Sequence, residues 1–144
     1  MLPPFNERGD LPPGIHAAGW SELAERFGGG TVRQARLRTL RHLHVLAAAT
    51  GHLERFLVFG SFVTAKPQPA DVDVVLVMDD DFRLENTPRE SRTVFSHADA
   101  DARFGASVFW VRRGILPYVE MPAFLEFWQT RREGGRRGIA EVTA

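Results

Sequence analysis

Residues 57–77 read Leu-Val-Phe-Gly-Ser-Phe-Val-Thr-Ala-Lys-Pro-Gln-Pro-Ala-Asp-Val-Asp-Val-Val-Leu-Val. Two apolar strands flank a Gly-Ser turn, and Asp71 and Asp73 stand at the head of the second strand. Residues i and i+2 of a strand project from one face. Asp71 and Asp73 are therefore expected to aim both carboxylates at one point, with Val72 and Val74 turned inward. Hard oxygen ligands beside a turn with free backbone N–H groups suit Mg²⁺ and a bound triphosphate. The plain alternative is a pair of acids that solubilises a strand end. The Gly60-Ser61 partner favours a phosphate or metal site.

The 144 residues fit one domain, read as 1–144 with an N-terminal arm at 1–19. The chain is 44% hydrophobic and 25% charged with zero formal net charge, so a generic electrostatic grip on nucleic acid or an anionic membrane is not expected. Of the 18 basic residues only Lys66 is lysine, so many guanidinium forks are on offer for phosphate. With no cysteine, disulfides, thiolate catalysis and cysteine zinc sites are excluded. No run approaches 18 apolar residues, and the first residues carry Glu7, Asp10 and prolines where a leader would carry a basic and then an apolar stretch. The expectation is a cytoplasmic protein with no membrane partner.

Turn and cap signals divide the chain. The arm has Leu2, Phe5, Leu11 and Ile15 to bury around the turn Leu11-Pro12-Pro13-Gly14. A short helix is expected over Ser21–Phe27 with Ser21 as N-cap. Thr31-Val32-Arg33-Gln34 reads as a capping box that starts a helix over 32–50, stopped by Gly51. Its apolar side is Leu37, Leu40, Leu43, Val45, Leu46 and Ala47, and Arg33, Arg36, Arg38 and Arg41 read as a solvated face. Strands are expected at Arg55–Phe59, Asp71–Met78, Ala106–Val111 and Ile139–Val142. Further helices are expected from Thr87 (N-cap) and Pro88 to about Ala98, and over about 122–132. Asp79-Asp80-Asp81 lies roughly 20 Å beyond the Asp pair along a strand and reads as a solvated turn. The pattern predicts a small α/β (α+β) domain with one mixed sheet and helices packed on it.

Phe59-Gly60-Ser61, nine residues, then Asp71-Val72-Asp73-Val74 resembles the signature of the DNA polymerase beta-like nucleotidyltransferase superfamily. More broadly, the arm Leu11-Pro12-Pro13-Gly14-Ile15-His16, the segment from Gly60 to Thr64 with Lys66 and Pro69, and the tail from Phe127-Trp128-Gln129 to Gly138-Ile139 resemble a minimal bacterial branch of that superfamily. The resemblance implies a nucleotidyltransferase-like fold. It implies Asp71 and Asp73 as catalytic metal ligands, Gly60, Ser61, Thr64 and Lys66 as nucleotide-binding residues, and Mg²⁺ as the cofactor, at a one- or two-metal site. It further implies transfer of a nucleoside monophosphate from a nucleoside triphosphate to a protein or RNA hydroxyl. An acceptor oxygen would attack the α-phosphate, and pyrophosphate would leave. Proteins of this size are also compared with one half of toxin–antitoxin or defence modules, which implies a partner protein.

One position departs from the superfamily. Its third carboxylate sits on a neighbouring strand, and here that strand, Ala106–Val111, holds no acid. Ser107 or Ala106 takes the place, and Asp99, Asp101 and Glu120 are the acids nearest in sequence. The second expectation is therefore a catalytically degenerate fold acting as a binding or antitoxin-like subunit. His16, His42, His44, His52 and His97 lack zinc spacing and read as packing or surface residues. Gly28-Gly29-Gly30 has no preceding strand and reads as a linker. Arg131, Arg132, Arg136 and Arg137 read as a solvated loop, with an RNA or partner contact as the sharper alternative.

Overall fold

The computed structural model describes residues 1–115, 121–131 and 134–143. The fold is mixed α and β, as the sequence pattern predicts. Among these residues five strands form one sheet in the order β1-β5-β2-β3-β4. They are β1 (Ile15–Ala18), β2 (Leu53–Phe59), β3 (Val72–Met78), β4 (Ala106–Arg112) and β5 (Ile139–Val142). β2 is antiparallel to both β3 and β5, while β4 runs parallel to β3 and β1 parallel to β5. Helices α1 (Trp20–Phe27), α2 (Gly30–Ala48), α3 (Arg89–Arg92), α4 (His97–Phe104) and α5 (Met121–Trp128) pack around it.

Alternation along the strands separates the two faces. Phe56 and Val58 of β2, Val72, Val74, Leu76 and Met78 of β3, and Ala106 and Val108 of β4 join the larger core. Leu23 and Phe27 of α1, Leu40, Leu43 and Leu46 of α2, and Leu2 and Leu11 of the arm complete it. Leu57, Val75, Val77 and Ile139 face the other way, onto Phe124 and Leu125 of α5. β3 is thus buried on both faces, which is why it reads as an unbroken apolar run. Burying a Phe or Leu stabilises by about 1.5–3 kcal/mol, and Phe27, Phe56, Phe62 and Phe82 are among the largest fully buried side chains.

Several local expectations are corrected. The helix expected from Ser21 starts at Trp20 with Gly19 as N-cap. The Thr31–Gln34 capping box does not form: α2 begins at Gly30, Gly29 is its N-cap, and no side chain caps it. Val45 is 62% exposed and leaves the apolar side. The helix expected from Thr87 to about Ala98 is broken into α3, a 3₁₀ turn over Thr93–Phe95, and α4, because Ser96 caps a new helix by accepting from Asp99 N. Thr87 is not its N-cap; its hydroxyl donates to Arg83 O at 2.9 Å. α5 ends at Trp128, before the expected 132. The arm was expected only to lie over the body, but it contributes β1, paired from Ile15↔Ile139 to Ala18↔Val142. Asp79 and Asp80 are also more than a solvated turn: Asp79 holds His52 Nδ1 at 2.9 Å, and Asp80 accepts from Gly114 N. Among the described residues no helix is long and apolar enough to cross a membrane.

Candidate functional site

β2 delivers the chain to Gly60, whose φ of 79° and ψ of −163° lie in a region open almost only to glycine. A Cβ at Gly60 would stand 3.0 Å from Asp73 Cγ and closer still to its Oδ2. The glycine is therefore required twice, by its backbone and by the carboxylate packed against it. Ser61–Val63 then makes one 3₁₀ turn, with Thr64 N donating to Ser61 O at 3.2 Å. Phe62 and Val63 anchor this turn in the larger core.

The strand register assembles the rest. Asp73 lies opposite Phe59 on one side and opposite Ser107 on the other. Asp73 and Ser107 share the α5 side of the sheet with Phe59 and Phe109, because their neighbours Val72, Val74, Ala106 and Val108 point into the larger core. A cleft of about 660 Å³ opens there against the C-terminal end of α5, and Gly60, Ser61, Asp73 and Ser107 line it together. The Ser61 and Ser107 hydroxyls make no hydrogen bond to another described residue and are available to a ligand.

The remaining expected site residues are placed differently. Asp71 lies one residue before β3 and does not line the cleft. Thr64 is buried and its hydroxyl is occupied, donating to Ser61 O at 2.6 Å and accepting from Lys66 N at 3.1 Å. Lys66 is exposed outside the cleft. Asp99 and Asp101 ride on α4, which packs through Ala100 and Phe104 onto the opposite core, so neither stands in for a third acid. Glu120 and Arg132 lie outside the described residues. Among the described residues, no group of three His, Cys, Asp or Glu is arranged to hold a metal ion. The histidines take structural contacts, as expected: His44 stacks edge-on against Phe56 at 4.9 Å, and His16 Nε2 pairs with Pro12 O at 2.7 Å.

Two features escaped the sequence reading. The first is Arg33, which is no part of a solvated face: it is 7% exposed and inserts under the turn. It donates to Phe27 O at 3.1 Å, Phe62 O at 2.7 Å, Thr64 O at 2.6 Å and Lys66 O at 2.5 Å. Burial pulls its pKa below the ordinary guanidinium value. Arg36 Nε donates to Pro69 O at 3.0 Å. α2 thereby pins the loop that links the Gly-Ser turn to β3. Gly9 of the arm holds the same loop from another direction, its O accepting from Ala65 N at 2.8 Å.

The second is the rest of the cleft wall. Phe59, Phe109, Phe127, Trp128, Thr130, Arg131 and Arg137 complete it. Phe109 and Phe127 are 39% and 67% exposed, and the Phe59 and Phe109 rings stand 4.8 and 5.0 Å from Trp128. Trp128 Nε1 is buried and has no acceptor among the described residues. A motif search finds the Gly-Ser and Asp positions, but an aromatic and guanidinium wall drawn from α5 and the turn after it has no linear signature.

A family model matches residues 3–143 of the chain. The chain belongs to DUF6932, a family of unknown function. No curated protein and no solved structure matches it significantly. In this DUF6932 protein the matched span includes the arm, the Gly-Ser turn and the cleft wall alike, so the site residues all lie within the family region.

Proposed function

We propose that the cleft binds a nucleoside triphosphate with Mg²⁺ in the manner of a nucleotidyltransferase-like protein. The observation that carries this reading is the Asp73 carboxylate packed on Gly60, with Ser61 and Ser107 in the same cleft. Gly60 lets the Asp73 carboxylate pack against the turn, Ser61 offers a hydroxyl, and Asp73 places a hard anionic oxygen at the cleft. The aromatic wall suits a nucleobase, since stacking on such rings contributes about 1–3 kcal/mol per base.

The donor set fits one Mg²⁺ shared between Asp73 and ligand phosphates, because Mg²⁺ in phosphate sites needs only one or two carboxylates. It does not fit a two-ion site. Ser107, not an acid, faces Asp73 across the β3–β4 pair, and Asp71 stays outside the cleft lining. Bound Mg²⁺ would supply charge neutralisation for the phosphates. The Ser61 hydroxyl would position them, and Phe62 and Val63 anchor the turn in the larger core. The same register supports the second reading, a catalytically weak fold that binds nucleotide as a subunit of a larger assembly. A toxin–antitoxin partner and a protein or RNA acceptor belong to that proposal as well.

The test uses α-labelled ATP, GTP, CTP and UTP with Mg²⁺, reading both retained and covalently transferred label. Retention of at least one nucleotide with little covalent label is the expected result, with Ser107→Asp raising Mg²⁺ affinity. Efficient covalent labelling by the unmodified protein that disappears in Asp73→Asn would instead make it an active transferase. No retention of any nucleotide would reject the reading.

A further inference from the structure

The arginines after α5 divide into two groups. Arg136 turns away from the cleft and pairs with Glu126, Nε to Oε1 at 2.6 Å. Arg131 and Arg137 line the cleft that contains Asp73 and Ser61. Between them sits Asp10 of the arm, 3% exposed, paired with Arg131 through Oδ2 and with Arg137 Nη1 through Oδ1 at 3.9 Å. A buried carboxylate is costly unless paired and hydrogen-bonded, so the hydrogen-bonded pair fixes Asp10 with Arg131, and the Arg137 guanidinium stands close by.

A guanidinium carries five N–H donors in a planar fork, and one carboxylate has two oxygens. The Arg137 ion pair at 3.9 Å is longer than a hydrogen bond, and its side chain donates to no other described residue. Its fork is therefore available to a ligand. Its position is fixed by the backbone: Arg137 N donates to Gln129 O at 2.8 Å, and Gly138 N donates to Leu11 O at 2.8 Å. Gln129 is itself buried and accepts from Gly14 N at 2.7 Å. A planar donor fork held in place beside a cleft is the side-chain chemistry that recognises phosphate oxygens bidentately.

We infer that Arg137 and Arg131, gathered beside Asp10, form an oligophosphate-binding subsite of the cleft and take the phosphate contacts that the resemblance implies for Thr64 and Lys66. The inference deepens the nucleotide reading and rests on it for the rest of the ligand. The subsite itself recognises only a chain of phosphates. Phosphate near Asp73 needs a cation between two anions, whereas phosphate on the arginines does not. The cleft thus has a metal-dependent contact and a metal-independent one.

The full chain is titrated with tripolyphosphate in EDTA, and separately with each nucleoside triphosphate in Mg²⁺. Tripolyphosphate is expected to bind without metal. Arg137→Gln lowers its affinity at least tenfold and Arg137→Lys recovers only part, because an ammonium keeps the charge but not the fork. Arg136→Gln removes the same charge one residue away and leaves the affinity within about twofold. Asp10→Asn weakens tripolyphosphate binding although it adds net positive charge beside the arginines, whereas a purely electrostatic role for Asp10 would strengthen it. If tripolyphosphate binding fails, or Arg136→Gln costs as much as Arg137→Gln, the subsite is wrong. Mg²⁺-dependent nucleotide binding unaffected by Arg137→Gln would overturn the subsite and keep the nucleotide reading. Tripolyphosphate binding through Arg137 with no nucleotide binding would do the reverse.

Discussion

At Gly60 two constraints coincide, and they can be separated. The φ of 79° with ψ of −163° penalises any side chain, and the Asp73 carboxylate fills the space a Cβ would take. Gly60→Ala is expected to destabilise the fold by about 2–3 kcal/mol. In the double variant with Asp73→Ala the steric part is relieved while the backbone part persists, so thermal or denaturant unfolding should show a favourable coupling energy between the two sites. Additive losses would mean that the carboxylate moves aside at little cost. His44 gives a second residue-level test. Burial, and secondarily the charge of Arg41, hold its pKa below the ordinary histidine value. The unfolded chain therefore binds the proton more readily, and stability is full above the unfolded pKa of about 6.5 and falls as pH drops through it toward the lowered folded value. Denaturant midpoints taken from pH 7.5 to 5.5 should decline, and less steeply in His44→Phe, which keeps the ring packing on Phe56.

Among the elements, the hairpin that frames the site was legible and its supports were not. β2 and β3 announce themselves as apolar runs around Gly60-Ser61, and Ile139–Val142 was read with its observed limits. The sequence leaves Ser107 or Ala106 as the residue facing Asp73, and the β3–β4 register makes it Ser107. β1 was missed because four residues carry little periodic signal and their partner, β5, lies at the other end of the chain. Arg33 was misread because helical spacing marks it as one more basic position. Only the carbonyls of the turn, brought in by β2, make it a buried hub. The same closure of the turn takes up the Thr64 hydroxyl, which linear spacing does not reveal. Arg33→Lys is expected to destabilise by about 3 kcal/mol, since three donors on a point charge cannot reach four carbonyls spread around a plane. Hydrogen exchange should show the loss concentrated over residues 61–69. Protection lost evenly over the sheet would deny α2 its role as the support of that loop.

For the molecule as a whole, one face of the sheet is closed by α1 to α4 and the arm, while α5 covers the other face and ends beside a cleft. The larger core makes that cleft's floor rigid. The arm and the turn after α5 meet at Asp10, so the arm braces one wall of the site. The proposed function requires that this cleft take a nucleoside triphosphate through Asp73 and Mg²⁺. The most direct test is calorimetric titration of the unmodified chain and of Asp73→Asn with ATP, GTP, CTP and UTP, with and without Mg²⁺. Saturable, Mg²⁺-dependent binding of at least one nucleotide is expected, weakened at least tenfold in Asp73→Asn with the unfolding midpoint preserved. Binding that ignores both the metal and the substitution, or no binding of any of the four, would contradict it.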